Sequence, residues 1–569
     1  MLRCFRNSLL FPTAALAAGI FPASANVTIS DAPTQNIYCA AGVCAPTAAT
    51  AVLNVEDLEN LLAAGSAEVT TTGSGVQATS IKVAAKLAWS GGGSLTLDAY
   101  KSISVEKPVH VRGTGGVSVI TNDGGSKGEF SFGAGGKLTF ANLSSPLAIN
   151  GTAYTLVSSV GTLASAIAAN PAGTFALGNG YDASRDGTYT VPPISTMFTG
   201  NFNGLGNTIS NLTINDSIQN ASVGLFAQTS GNASLASIRL GNATVTGASG
   251  TQGSSTEYVG GLVGFQQGGT ISNAFAAGTI SGGSYAAVGG LAGVTFGTVT
   301  SSEATATTSS GYLGAAGGLI GGAAGAVTNS YAAGNISGSA FVGGLVGFDG
   351  FNTIDHSFAS GTVTGIDSDT YAGGLIGMNT GTITQSSASG AVNCQFVCGG
   401  LAGMNGGSAG PSTISRSFAT GDVSADSGGA GGLVGTNLAG VITDSYATGS
   451  TLGSGAGGLV ASNEVSGGSA GIARSYSSGA VSATSYAGGL IAYDNFAGSL
   501  RRDYWDTTTS GIANKDQGAG NMEYDPGVKG LSNSKLTSGL PRGFSPRVWT
   551  ENPNINGGLP YLIDNPPPK

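Results

Sequence analysis

Paired carboxylates beside basic residues could act as a general acid and base, and one stretch near the C-terminal end has this composition. In "RRDYWD", Asp503 and Asp506 follow Arg501 and Arg502. Glycoside-cleaving enzymes place two carboxyl groups across the bond that they break. No second pair of carboxylates that could converge on the first is visible in the sequence. The stretch therefore fits better the closing turn of a fold that packs against a cap.

The sequence offers few residues that could bind a metal or a cofactor. A zinc site needs about four ligands at suitable spacing, and His110 and His356 are the only histidines. Glycine spacings cannot indicate a phosphate loop in a chain with 98 glycines, and no such loop with a lysine is present. We expect no metal and no cofactor.

The first 25 residues have the pattern of a secretory signal peptide. Arg3 and Arg6 form a basic start, an apolar run follows over residues 9–21, and small residues precede a cleavage site between Ala25 and Asn26. The run is shorter than the roughly 18 apolar residues of a membrane span. We expect an exported chain with no transmembrane span after cleavage.

Cysteine usage agrees with export. Cys4 leaves with the signal peptide, whereas Cys39 and Cys44 lie close together, as do Cys394 and Cys398. An even number of cysteines in an exported chain predicts two local disulfides.

The mature chain is acidic. Without Arg3 and Arg6 it has 19 basic and 30 acidic residues, a formal charge of −11. The acidic residues are dispersed and the sequence contains no basic cluster, which argues against a nucleic-acid partner.

The phrase Gly-Gly-Leu occurs nine times, at intervals of 26 to 32 residues. A period of about 28 residues is typical of solenoids and propellers. The phrase ends at Leu262, Leu291, Leu319, Leu345, Leu375, Leu401, Leu433, Leu459 and Leu490.

A second column follows each leucine and begins with an aliphatic residue, the first being Ile271. Four places further on, seven of nine positions are aromatic. These positions are Phe275, Glu303, Tyr331, Phe358, Ser387, Phe418, Tyr446, Tyr476 and Tyr504.

The repeated pieces are short, rich in Val, Ile, Thr and aromatic residues, and bounded by glycine, which is typical of strands. A propeller blade needs about 40 residues, so a turn of about 28 residues with two or three short strands favours a solenoid. We predict an all-β fold, a right-handed parallel β-helix, in which the leucines stack about 4.8 Å apart. Gly-Gly is expected to form corners with positive φ.

The ends of the repeat array differ from its middle. Residues 26–79 contain "NVEDLENLLAAG", which predicts a short capping helix with Asn54 as its N-cap. We expect degenerate coils over residues 80–215, repeat coils over 216–511 and an irregular C-terminal cap over 512–569.

The phrases "GLVG", "GLAG" and "GLIG" are similar to the GLUG repeat. With "FTGNFNGLGNTISNLTI", "VGLFAQ", "DYWDTTTSG" and "GLPYL", they resemble the rear part of bacterial filamentous-haemagglutinin-like exoproteins. The resemblance implies an adhesin-type β-helix, secreted or held on the outer surface of a bacterium, with a secretion pore as a partner in export. The large N-terminal secretion domain of that family has no counterpart here before residue 80.

A binding stripe could lie along the aromatic column. The residue two places before each aromatic position is polar in every turn, and strand alternation places both on the outer face. A corner within the strand would instead tuck the aromatic residues under an adjacent loop, and both possibilities stay open. The candidate residues are Phe358, Phe418, Tyr446, Tyr476, Tyr504, Arg416, Arg474 and Arg502.

Together these features predict a non-enzymatic, adhesin-like protein that attaches to glycans, proteins or cells of a host or a neighbour. One alternative is a glycan-active β-helix enzyme using Asp503 or Asp506. Another is a purely structural protein of the envelope or matrix.

Overall fold

A computed structural model describes residues 25–252, 257–407, 412–464, 471–495 and 499–568. The protein is all-β, with 48% strand and 6% helix, and winds into a parallel β-solenoid of about 17 turns. The predicted β-helix is thereby confirmed. The signal peptide lies outside the described residues except for Ala25, so cleavage before Asn26 stays a prediction.

Three sheets form the N-terminal turns, and their strands are parallel except that Leu147–Ile149 and Thr152–Val157 pair in antiparallel fashion. The first contains Asn26–Ser30, Ala51–Asn54, Ser80–Val83, Ile103–Val105 and Phe130–Phe132. The second contains Ala67–Thr70, Leu95–Asp98, Val117–Ile120, Leu147–Ile149, Thr152–Val157 and Thr174–Leu177. The third contains Leu87–Trp89, Val109–Val111 and Leu138–Phe140. The stack thus begins within residues 26–79.

Helix α1, Val55–Ala64, lies at the start of the third sheet. Asn54 caps it by accepting hydrogen bonds from the amides of Glu56 and Asp57. A Glu59 carboxylate oxygen accepts a hydrogen bond from the Ala88 amide at 2.7 Å, so the helix satisfies a donor on the first strand of that sheet. The predicted capping helix is therefore present.

A disulfide-linked hairpin covers the second sheet at the same end. Strands Ile37–Ala40 and Val43–Pro46 pair in antiparallel fashion, and the latter pairs with Ala67–Thr70. Cys39 and Cys44 are bonded within this hairpin, and Cys394 and Cys398 form the second disulfide. Both predicted disulfides are confirmed.

Helix α2, Val160–Ala169, interrupts the segment that the sequence assigns to degenerate coils. It connects two parallel strands, Thr152–Val157 and Thr174–Leu177. Val160, Leu163 and Ile167 are fully buried in the main core. Neither α1 nor α2 exceeds ten residues, and the described part of the chain contains no helix with the length and hydropathy to cross a membrane.

Each repeat turn has five short strand positions, more than the two or three predicted. Position 1 contains Asn201–Asn203, Ser234–Ala236, Thr270–Ser272, Thr298–Thr300, Val327–Thr328, Thr353–Asp355, Thr382–Thr384, Thr413–Ser415, Val441–Thr443, Gly471–Ala473 and Leu500–Arg501. Position 2 contains Tyr181–Asp182, Thr208–Ser210, Glu303–Ala304, Tyr331–Ala332, Phe358–Ala359, Ser387–Ala388, Phe418–Ala419, Tyr446–Ala447, Tyr476–Ser477 and Asp503–Asp506. Position 3 contains Thr188–Tyr189, Thr213–Asn215, Thr307–Ser309, Ile336–Gly338, Val363–Gly365, Val392–Cys394 and Val423–Ala425. Arg239–Thr246 and Phe275–Ser281 span positions 2 and 3.

The chain then returns through positions 4 and 5. Position 4 contains Ser222–Val223, Glu257–Gly260, Ala286–Gly289, Ala315–Gly317, Phe341–Gly343, Tyr371–Gly373, Val397–Gly399 and Gly429–Gly431. Thr451–Gly457 and Val481–Gly488 span positions 3 and 4. Position 5 contains Phe226–Thr229, Val263–Gln266, Ala292–Thr295, Ile320–Ala323, Val346–Asp349, Ile376–Asn379, Ala402–Gly406, Val434–Leu438, Val460–Glu464 and Ile491–Asp494.

The nine Gly-Gly-Leu leucines form a continuous internal ladder. Each is at most 1% exposed. From Leu262 to Leu459, each leucine amide donates to the carbonyl of the leucine in the following turn, at 2.8–2.9 Å. Turns therefore stack through backbone hydrogen bonds and through identical apolar side chains in the core.

The Gly-Gly pairs are required for a different reason than predicted. None of the pairs preceding the nine leucines has the positive φ that the sequence analysis expects. A Cβ on Gly343 would lie 1.8 Å from the Val346 carbonyl oxygen, and one on Gly344 would lie 1.9 Å from that of Gly374. Glycine is needed here because backbone segments approach too closely for any side chain.

The positive-φ corner occurs instead at a polar residue between positions 1 and 2, with φ of 45–62° in nine turns. The corner residues are Asn273, Ser301, Asn329, His356, Gln385, Arg416, Asp444, Arg474 and Arg502. The residue after the corner points inward, and in seven successive turns it is a serine. Each hydroxyl from Ser302 to Ser475 accepts a hydrogen bond from an amide of the preceding turn and donates to a carbonyl two residues earlier.

A second polar ladder runs through position 5. Asn379, Asn405, Asn437 and Asn463 are fully buried. Each side-chain amide donates to the side-chain oxygen in the following turn at 2.7–2.9 Å, and Asp494 accepts the last of these bonds. The ladder satisfies polar groups that would otherwise be costly to bury.

Asn405→Ala is expected to lower the free energy of unfolding by about 1–3 kcal/mol, because the neighbouring Asn379 and Asn437 lose buried partners. Equilibrium urea unfolding followed by circular dichroism measures the change. The control is Asn393→Ala on an exposed position, for which we expect a change within about 0.5 kcal/mol. Equal stability of the two variants would contradict the role of the ladder.

Candidate binding surface

The predicted stripe is not a continuous exposed surface. Phe358 is 44% exposed, but Phe418, Tyr446, Tyr476 and Tyr504 are at most 8% exposed. Their side chains leave the core in the predicted direction, since they form a hydrophobic cluster separate from the main core. Of the two possibilities that the sequence leaves open, the covered arrangement holds for these four residues, but a distant segment covers them instead of an adjacent loop.

This segment, residues 531–565, folds back along the outside of the last turns and is called the C-terminal strap. Its Trp549 is fully buried, with its ring centroid 6.0 Å from those of Tyr446 and Tyr476. The Tyr476 hydroxyl donates to the Pro560 carbonyl at 2.7 Å, and that of Tyr504 donates to the Arg542 carbonyl at 2.8 Å. The predicted C-terminal cap therefore packs on the side of the solenoid.

The stripe's arginines take different roles. Arg474 binds Asp444 through two hydrogen bonds of 2.9 and 2.7 Å, and the Trp549 indole donates to the same carboxylate. Arg416 lies 4.0 Å from Asp564 at the end of the strap. Arg502 is an exposed corner residue with φ of 62°. Only Tyr331 and Phe358, with ring centroids 4.8 Å apart, form an uncovered aromatic pair on this column.

The carboxylates of "RRDYWD" serve the fold. Asp503 ends the serine ladder, accepting the Ser475 amide on one oxygen and the Arg501 amide on the other, both at 2.8 Å. Burial raises the pKa of Asp503 to about 8. Asp506 accepts hydrogen bonds from the Thr508 amide and from Asn533 of the strap. Both carboxyl groups are fully buried.

A different set of aromatic residues lies at the surface, along positions 4 and 5. In position 4, strand pairing aligns Phe341 with Tyr371 and Tyr371 with Val397. In position 5 it aligns Phe348 with Met378 and Met378 with Met404. A similar pair, Tyr258 and Phe265, lies at the start of the array. We call this surface the aromatic patch: Tyr258, Phe265, Phe341, Phe348, Tyr371, Met378 and Met404, which are half-buried, whereas the aligned Val397 is 7% exposed.

The two columns of the patch meet across the Gly-Gly corner. Ring centroids are 5.1 Å apart for Tyr258 and Phe265 and 6.2 Å apart for Phe341 and Phe348. The latter ring also leans over Gly322 of the preceding turn, where a Cβ would lie 2.5 Å from it. The corner glycines thus bring side chains from two strand positions together.

The patch continues onto loop residues. Phe296, 56% exposed, packs edge-on against Phe265 at 5.7 Å, and Phe396, 40% exposed, packs against Tyr371 at 6.1 Å. Phe265 to Met404 spans five turn spacings, or about 24 Å at about 4.8 Å each, with Val294 and Gly322 in the two turns between Phe265 and Phe348. Apolar side chains clustered at a surface in this way are typical of interaction sites.

The patch is uncharged. Burial is the main cause that raises the pKa of both Tyr258 and Tyr371, so their hydroxyls remain neutral donors at physiological pH. Aromatic faces and polarisable thioethers can pack against varied apolar shapes. The arrangement suits an extended ligand that offers apolar faces and hydrogen-bonding groups.

The sequence holds a signal for this patch that the predicted stripe does not include. In "FVGGLVGF", "YAGGLIGM" and "VCGGLAGM", a large apolar residue stands two places before Gly-Gly and another three places after Leu. Strand alternation directs the first outward and Val342 inward, the latter being fully buried.

Comparison with known sequences supports the repeat. Residues 255–281 and 426–452 match the GLUG motif. No curated protein matches the chain. The wider resemblance to filamentous-haemagglutinin-like exoproteins stays a prediction.

Proposed function

We propose that this protein is an exported, adhesin-like β-solenoid that attaches to glycans, proteins or cells through the aromatic patch. The main support is the alignment of half-buried aromatic and methionine side chains at the surface of three successive turns, with a further aromatic pair, Tyr258 and Phe265, three turns earlier. The GLUG repeat and the solenoid are compatible with an adhesin-like repeat protein. The two disulfides are compatible with an oxidising, extracellular location.

Attachment would use repetition in place of a deep pocket. The turns of Phe341, Tyr371 and Met404 present patch side chains at about 4.8 Å spacing, so a long ligand can contact several turns at once. Each contact buries apolar surface at about 25 cal/mol per Å². The tyrosine hydroxyls add direction through hydrogen bonds. A polysaccharide chain or an extended protein segment meets these requirements.

The double variant Phe341→Ala with Tyr371→Ala tests the proposal. We expect at least tenfold weaker attachment, equivalent to about 1.4 kcal/mol, because the centre of the patch loses two rings. Binding is measured on cellulose, chitin and dextran surfaces and on epithelial cell monolayers. Circular dichroism is expected to be unchanged because both rings lie outside the core.

The matched control is Tyr38→Ala with Tyr524→Ala. Both tyrosines are 68% exposed and lie outside the repeat turns. We expect this control to attach as the original chain does. Failure of the original chain to attach to any of these surfaces, or equal losses in the two double variants, would overturn the proposal.

A further inference from the structure

The outer face of the third N-terminal sheet gathers positive charge that is scattered in the sequence. Its strands are Leu87–Trp89, Val109–Val111 and Leu138–Phe140, and alternate residues of each are buried. Between these, Ala88, His110 and Thr139 align on the outer face. Lys86 and Lys137 precede the outer two strands, and Arg112 follows the middle one. We call Lys86, His110, Arg112 and Lys137 the cationic face.

The three cations lie close enough to His110 to affect its pKa. Burial lowers the pKa of His110, and the charges of Lys86, Lys137 and Arg112 lower it further. Its Nδ1 lies 2.7 Å from the Thr139 hydroxyl oxygen. The centre of the face is therefore a neutral hydrogen-bonding group near three fixed positive charges.

Lys86, Arg112 and Lys137 form no ion pair with any residue that the structure describes. Among the residues that the structure describes, ion pairs involve only His356, Arg416 and Arg474 as cations. One carboxylate, that of Glu59 on α1, lies beside the face and accepts a hydrogen bond from the Ala88 amide while keeping its negative charge. By contrast, residues 240–415 contain no lysine or arginine. The lysines and arginines thus lie towards the two ends of the chain, and the cationic face belongs to the N-terminal group.

We propose that the cationic face binds a linear, carboxylate-bearing polysaccharide. Lys86 and Lys137 lie two strand spacings apart, about 10 Å, which suits repeated charges better than a single small anion. The outer positions between the cations carry small or polar groups, Ala88 and Thr139, and no long apolar side chain that could insert into a bilayer. Lysine and arginine bind carboxylates through charge-assisted hydrogen bonds. This site is separate from the aromatic patch.

The test measures binding of the full mature chain to immobilised polygalacturonate, with neutral dextran and anionic phosphatidylglycerol vesicles as comparisons. At about 0.01 M salt, where the Debye length is about 30 Å, we expect the chain to bind polygalacturonate but neither dextran nor the vesicles. At about 1 M salt, where the Debye length is about 3 Å, we expect this binding to be lost. We expect at least tenfold weaker binding by the triple variant that combines Lys86→Gln, Arg112→Gln and Lys137→Gln. Arg112→Lys, which keeps the charge, is expected to retain most of it.

The control removes the same charge elsewhere, through Lys515→Gln, Lys529→Gln and Lys535→Gln on exposed C-terminal positions. It is expected to bind within twofold of the original chain. Thermal unfolding checks that both triple variants are folded. Absence of binding to polygalacturonate would overturn the proposal, as would binding to the vesicles without binding to the polysaccharide. It would also be overturned if the two triple variants bound polygalacturonate with equal affinity.

Discussion

Trp549→Ala is expected to lower the free energy of unfolding by about 3–5 kcal/mol, the usual cost of truncating a fully buried large aromatic residue. Trp549 packs on the stacked rings of Tyr446 and Tyr476 and is the centre of the strap's contact with the solenoid. Its indole also holds Asp444, the partner of Arg474. Equilibrium urea unfolding followed by circular dichroism measures the loss.

The control for Trp549 is Tyr524→Ala in the same C-terminal segment, a residue that is 68% exposed. We expect its effect to stay within about 0.5 kcal/mol. If Trp549→Ala were as mild as this control, the strap would not be an integral part of the fold and the predicted stripe could be uncovered at little cost.

Asp349→Asn is expected to raise the free energy of unfolding at pH 8 by about 3 kcal/mol. The gain comes from the difference between the folded and unfolded pKa of Asp349, of which each unit corresponds to about 1.4 kcal/mol. Asp349 is 3% exposed, and burial raises its pKa to about 6. One of its oxygens accepts hydrogen bonds from the Thr380 amide and hydroxyl. Asparagine keeps an acceptor for these bonds and removes the charge that burial disfavours.

The difference between the folded and unfolded pKa of Asp349 also makes the free energy of unfolding depend on pH. Between the unfolded pKa of about 4 and the folded pKa of about 6, the folded protein keeps a proton that the unfolded chain has released. Asp349 therefore makes the free energy of unfolding fall as the pH rises through this window and level off above it. Asp349→Asn removes this contribution, whereas Asp426→Asn on an exposed position leaves it in place. Parallel pH profiles for Asp349→Asn and the original chain would contradict the assignment.

The stacking could be predicted because it leaves a period in the sequence. Leucine, the aliphatic start of the second column and the aromatic residue recur together, since parallel turns place identical residues in contact. Helix α1 was predictable too, because Asn54 and the acidic residues after it are local signals.

Surface exposure could not be predicted because it depends on contacts far apart in the chain. Nothing in the local sequence of Tyr446 or Tyr476 indicates that Trp549, about a hundred residues later, covers them. The corners were misassigned because positive φ is normally associated with glycine, whereas here polar residues such as Asn273 and His356 adopt it. The cations of the cationic face are dispersed along the chain and come together only when three turns stack.

Tyrosine nitration, read by mass spectrometry on the free chain and on the chain attached to its surface, tests the central claim most directly. The aromatic patch is predicted to carry attachment, so Tyr371 should react in the free chain and be protected when attached. Tyr446 and Tyr476 should remain unmodified in both states, whereas Tyr38 and Tyr524 should react in both. Equal reactivity of Tyr371 in the two states, or nitration of Tyr446 and Tyr476 in the folded chain, would contradict the account.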